Sequence, residues 1–145
     1  MTHEEWATRI KAAARQAAGS PEGAAADLLA LADEVDQLLP HSFSEWHLSQ
    51  TLSIAATILE DSDPEKALDV ATRQVVALRH RLTGISEHLA SAASHRALLL
   101  FALGKDRDAN DNVAEAIRAA AFAPKSNLPL ELALAKFIEH ETKVE

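Results

Sequence analysis

The chain has 145 residues, with 22 aspartates and glutamates against 14 lysines and arginines, and no cysteine. Its length predicts one compact domain, and a 48% apolar content is enough for a buried core. A net charge of −8 argues against non-specific nucleic-acid binding and docking on anionic lipid, while the missing cysteines exclude a disulfide framework, a thiolate zinc site and a cysteine nucleophile. No apolar run approaches the ~20 residues that span a bilayer. The opening Met1-Thr2-His3-Glu4-Glu5-Trp6 has neither the basic nor the apolar region of a signal peptide, so a cytoplasmic location is expected. Thirty alanines, no tyrosine, four glycines and five prolines predict an all-α fold with closely packed helices.

Start and stop signals divide the chain into seven helical segments. Thr2 with Glu5 reads as a capping box, and Trp6, Ile10, Ala13 and Ala17 form one apolar stripe that ends at Gly19. Ser20-Pro21-Glu22 opens a second helix through Ala25, Leu28, Leu29, Ala32, Val35 and Leu39, stopped by Pro40. Ser42 with Glu45 reads as the next capping box, for a helix through Trp46, Leu48, Leu52, Ala55 and Leu59. Asp63-Pro64-Glu65 starts the fourth, which carries Val70, Ala71, Val75, Leu78 and Leu82 to Gly84. The fifth spans roughly 86–103 and stops at Gly104, and the sixth runs from about Asp106 towards Pro124. Asn127-Leu128-Pro129 opens the last, with Leu130, Leu134, Phe137 and Ile138. The links are short, which in all-α proteins makes neighbours antiparallel.

These segments recur at 42 residues. Ala13, Ala55 and Ala97 are so spaced, as are Ala25, Ala67 and Ala109, and the breaks at Ser20, Ser62 and Gly104. Ser44-Glu45-Trp46 and Ser86-Glu87-His88 repeat at the same distance. The period predicts three hairpins, at about 1–42, 43–84 and 85–126, and a capping helix at 127–145, within a single domain.

Each unit has a small residue midway along its first helix, a turn seven residues on, an alanine five residues after that, and apolar positions along the second helix. This order resembles the tetratricopeptide repeat. The closest stretch is Ala97-Leu-Leu-Leu-Phe-Ala-Leu-Gly104, continuing to Ala109, Val113 and Ala116-Ile117. The second unit fits through Ile54-Ala55, Ile58, Ala67-Leu68 and Ala71, and its long second helix is similar to the 42-residue repeats of kinesin light chains and many bacterial regulators. The first unit matches only through its small residues, and the family's tryptophan-like position holds Arg9, Thr51 and Ala93. The resemblance implies seven helices stacked as antiparallel hairpins in a right-handed superhelix. It also implies an inner, concave face on the first helices, used for protein binding.

Chemistry-bearing patterns are sparse. His88 and His95 lie two helical turns apart, too far along the axis for one zinc, and no His-Glu-x-x-His occurs, so no metal is expected. Neither a nucleophile elbow, a Ser-x-x-Lys motif nor a phosphate-cradling glycine loop is present, so no enzyme activity and no cofactor are expected. Some relatives of the repeat family clamp a carboxylate with inner-face cations. The matching positions here are Lys11, Ser53 and His95, then Ala14, Ala56 and Leu98, and Lys11 alone is cationic. The inner face instead reads Leu52, Ser53, Ala56 and Leu59, then Ser94, His95, Leu98 and Phe101, a mildly apolar groove suited to a peptide with apolar anchors. The same leucines, with Phe101, could equally be core residues between hairpins.

Charge is uneven: residues 1–42 hold seven acids against three bases, with Asp33, Glu34 and Asp36 near the end of the second helix, where the helix dipole disfavours them. Two functions follow as expectations. The first is an adaptor, scaffold or chaperone-like binder of a protein or peptide, acting as a monomer or weak homodimer. The rival is a small acidic inhibitor or immunity-type protein that covers a basic site on its partner.

Overall fold

The computed structural model describes residues 1–39, 41–81 and 87–120, together with Ala133 and Lys136. Among these residues the protein is all-α, with six helices: α1 (His3–Gln16), α2 (Pro21–Gln37), α3 (Glu45–Leu59), α4 (Pro64–Arg81), α5 (Glu87–Ala102) and α6 (Asp106–Ala120). The predicted stops at Pro40 and Gly84, the Ser86 repeat position, and Leu130, Leu134, Phe137 and Ile138 of the seventh helix lie outside the described residues. Ala133 and Lys136 are both helical, and Ala133 is buried.

Local chemistry sets the helix ends. Thr2 caps α1 by accepting the Glu5 N–H at 3.1 Å, Ser20 accepts from Gly23 at 3.3 Å, and Asp63 accepts from Lys66 at 3.2 Å. Gly104, at φ +75°, closes α5: its N–H bonds the Phe101 carbonyl at 3.1 Å while the Lys105 N–H reaches Leu100 at 2.8 Å. That is the paired hydrogen-bond pattern that needs a left-handed residue after the helix, and glycine supplies it without a Cβ penalty.

One predicted cap is corrected. The residue that caps α3 is Ser44, not Ser42. The Ser42 N–H is engaged by the Leu38 carbonyl at 3.1 Å, in the turn that ends α2, and Phe43 is buried. The extended backbone of Ser44, at φ −114° and ψ 168°, then starts the helix, and His47 rather than an acid completes the box by accepting the Ser44 N–H at 3.2 Å.

The chain divides into two compact units, Met1–Gln74 and Val75–Glu145, and the division falls inside α4. In the first, α2 packs extensively on α3 and also against α1. Its core joins Leu28, Leu31 and Val35 of α2 to Leu48, Leu52 and Leu59 of α3, with Ala67 and Ala71 of α4. In the second unit α5 and α6 form the most extensive helix pair, and Val75, Leu78, Leu89, Ala90, Ala92 and Ala119 make one apolar cluster.

Several sets of positions 42 residues apart are buried together. Ala13, Ala55 and Ala97 are all buried, as are Ala25, Ala67 and Ala109. The same interval connects Trp6, Leu48 and Ala90, and Ala32, Gln74 and Ala116, every one of them buried. Alanine at such positions lets backbones approach closely, so a larger side chain has nowhere to go. Ala67→Leu and Ala109→Leu are each expected to cost about 1–3 kcal/mol by overpacking. The exposed Ala114→Leu should stay within about 0.5 kcal/mol of the parent. Urea midpoints of the three variants check this, and an unshifted Ala109→Leu would show that the contact tolerates bulk.

Candidate functional site

The expected groove residues separate by burial. On α3, Leu52, Ala56 and Leu59 are fully buried and belong to the core of the first unit, while Ser53 is half-buried. The accessible side of this helix is carried by the exposed Thr57 with the half-buried Gln50, Ser53, Ile54 and Ile58, and Trp46 is exposed at its start. On α5, Ser94 is buried and its hydroxyl donates back to the Ala90 carbonyl at 2.7 Å, so it is internal. His95, Leu98 and Phe101 are half-buried, and together with Ser91 they leave one side of α5 open. Ile54 and Ile58 were missed by the sequence reading. α3 is apolar nearly all round, and periodicity does not reveal which side of such a helix faces out.

The acids near the end of α2 have partners. The Arg9 guanidinium lies 2.5 Å from Glu34, and Arg73 donates to Asp33 at 2.5 Å, with all four side chains well exposed. In the second unit Arg79 of α4 grips Glu115 of α6 through both carboxylate oxygens, and that hydrogen bond raises the Arg79 pKa. Arg96 of α5 donates to the buried Asn112 of α6 at 2.6 Å. Burial lowers the Arg96 pKa and the nearby Arg79 cation adds to the effect, with Asp108 and Glu115 opposing both.

A cleft of about 260 Å³ lies between α1 and α2, lined by Arg9, Ala12, Ala13, Asp27, Ala30 and Leu31. Its walls carry one cation, one carboxylate and no nucleophile, so it offers apolar surface rather than paired acid–base groups.

Both tryptophans of the chain meet at the other end of α1. The buried Trp6, 5% exposed, donates its indole N–H to the Thr51 hydroxyl at 2.9 Å, and the Thr51 hydroxyl in turn donates to the His47 carbonyl at 2.7 Å. Around His47 stand Trp6 with ring centroids at 4.9 Å, Phe43 at 4.8 Å, Trp46 at 5.1 Å and His3 at 5.3 Å, all in edge-on arrangements. Such T-shaped contacts place a ring edge against a negative ring face and add to simple burial. Trp46 itself remains 39% exposed. The signal for this corner was present in the sequence, since the chain's two tryptophans lie near the starts of the first and third helices.

Among the described residues no group of three or more histidines and acids is placed to hold a metal ion, and no helix is long and apolar enough to cross a membrane. Comparison with family models, with curated proteins and with solved structures finds no match.

The Trp6–Thr51 bond is testable. Thr51→Val keeps the shape and removes the acceptor, leaving a buried indole N–H unsatisfied, so stability should fall by about 1–3 kcal/mol. Thr51→Ser retains the hydroxyl and should recover part of that loss. Thermal melts of the two variants make the comparison.

Proposed function

We propose that the protein is a non-catalytic binding module of the tetratricopeptide-like kind, acting as an adaptor, scaffold or chaperone-like binder of a protein or peptide partner. The observation that carries the reading is the open side of α5, where Leu98 and Phe101 keep exposed apolar surface beside the polar His95. Apolar anchors with a polar edge are what an extended or helical peptide docks on. The burial of small residues at 42-residue intervals supports the repeat architecture, with a seventh, capping helix and a right-handed superhelix as its finer form. The residues available for binding are Ser53, Ile54 and Ile58 on α3 of the first unit and, separately, His95, Leu98 and Phe101 on α5 of the second. Leu52, Ala56, Leu59 and Ser94 support them from the core. A cytoplasmic monomer or weak homodimer fits the absence of cysteine and the acidic balance.

The acidic-inhibitor reading is weakened by the pairing of Asp33 with Arg73 and of Glu34 with Arg9, which partly neutralises the α2 edge. The test is the double variant Ser53→Glu with His95→Glu, assayed against a partner co-purified from the native host and identified by mass spectrometry. With helix content unchanged by circular dichroism, affinity should fall about tenfold or more, as expected when anchors worth ~1–2 kcal/mol are blocked. Unchanged affinity, combined with steep loss of the complex on adding salt, would favour the acidic surface instead.

A further inference from the structure

The histidine pair at the α1–α3 corner has a feature that burial and packing do not require. His3 Nδ1 lies 3.0 Å from His47 Nε2, and His47 Nδ1 simultaneously accepts the backbone N–H of Ser44 at 3.2 Å. The Ser44 hydroxyl also lies 3.0 Å from His47 Nδ1. With Nδ1 of His47 accepting the Ser44 N–H, its Nε2 carries the hydrogen and donates to His3 Nδ1, which is then bare. In that arrangement both rings are neutral.

Each added proton breaks something. Protonating His3 Nδ1 sets a donor against the His47 N–H. A tautomer change in His47 relieves that clash and lets Nδ1–H donate to the Ser44 hydroxyl, but it removes the acceptor from the Ser44 N–H and so gives up one bond of the α3 capping box. A second proton puts two cations about a hydrogen bond apart. Both rings also sit in first turns, at the start of α1 and of α3, where the positive end of the helix dipole disfavours a cation.

We propose that His3 and His47 form a proton-operated latch, which ties the start of α1 to the start of α3 when neutral and releases it on acidification. Desolvation by burial, and then the neighbouring His3, lower the His47 pKa, in keeping with this. A histidine whose folded pKa is depressed stabilises the fold above its unfolded value near ~6.5, and that contribution is lost as pH falls through the folded value. His3 is the titratable group that faces His47 from α1, while Trp6 of α1, Phe43 of the α2–α3 link and Trp46 of α3 face it without charge. Glu4 and Glu5 in the first turn of α1 and Glu45 in that of α3 are the carboxylates nearest in sequence, and neither imidazole is bonded to one of them. The latch holds down Trp6, so release exposes the indole and frees the first turn of α1.

The chain provides its own reporter, because it has two tryptophans, both in this corner, and no tyrosine. The full chain is titrated from about pH 8 to about pH 5 by tryptophan emission and far-UV circular dichroism, a range in which unperturbed histidine changes charge. The expected result is a red shift with its midpoint below ~6.5 while most helix content is kept. His47→Gln supplies a residue that still completes the Ser44 capping box and cannot titrate, so it should fold and lose the transition. His3→Gln removes the like-charged neighbour and should move the midpoint to higher pH. The proposal is overturned by a flat wild-type titration, by a transition that survives in the double His3→Gln, His47→Gln variant, or by collapse of helix content together with the emission change. Should His47→Gln fail to fold, NMR titration of the wild-type imidazole protons decides. A lowered His47 titration that moves when His3 is replaced by Gln supports the latch, and a His47 titration near ~6.5 that ignores that replacement overturns it.

Discussion

Close approach of alanine-lined helices is the constraint on which the rest of this structure depends. The sixteen buried alanines among the described residues are not needed to exclude water, since each removes little apolar area, but they allow backbones to come near enough for dense dispersion contacts. Alanine also loses no side-chain rotamer freedom on burial. The weakness of such a surface is its smoothness: sliding one helix along another by a turn exchanges one alanine for the next. Buried and part-buried hydrogen bonds between helices supply the missing register. Trp6 to Thr51 fixes α1 on α3, Gln74 to Ser49 at 2.8 Å fixes α4 on α3, and Arg96 to Asn112 fixes α5 on α6. Leaving any of these groups buried without a partner costs more than a small shift in alanine packing returns.

Helix boundaries were legible because they follow from chemistry within a few residues. Thr2, Ser20, Asp63 and Gly104 act within one turn of themselves, and each does what its side chain or lack of one dictates. The start of α3 was misread because two serines compete there. Ser42 has the acid three residues on, as a capping box asks, yet the chain turns at Leu38 and buries Phe43, which leaves Ser44 to begin the helix. Histidine in the role of the reciprocal acceptor is outside the usual Glu or Gln of the box. Tertiary packing chose the cap, and the sequence pattern alone does not contain that choice.

The candidate surface was legible only in part for a related reason. Residue spacing placed Leu52, Ser53, Ala56 and Leu59 on one side of α3, but a helix carrying leucine, isoleucine and alanine on most of its circumference does not announce which side is covered. The structure covers the side with the leucines and leaves Ile54 and Ile58 half-open. On α5 the mixture of Ser91, His95 and Leu98 is polar enough that spacing and exposure agree better. The acids of α2 show the opposite case: their charge was read correctly, while their arginine partners lie 25 to 40 residues away in sequence and become visible only once the helices are packed.

The corner around His47 joins these threads. A neutral imidazole serves there as helix cap, as donor to a second imidazole and as the ring on which Trp6, Phe43 and Trp46 converge. A glutamate at the same place would cap α3 at least as well and would complement the helix dipole, so capping alone does not account for histidine. What histidine adds is a second ring nitrogen on the far side, which reaches His3 and gives α1 a further polar tie beside the Trp6–Thr51 bond. The tie between α1 and α3 therefore bears on how firmly the first helix is held within the first unit. The same side chain that secures the helix start thereby makes its security depend on a single proton.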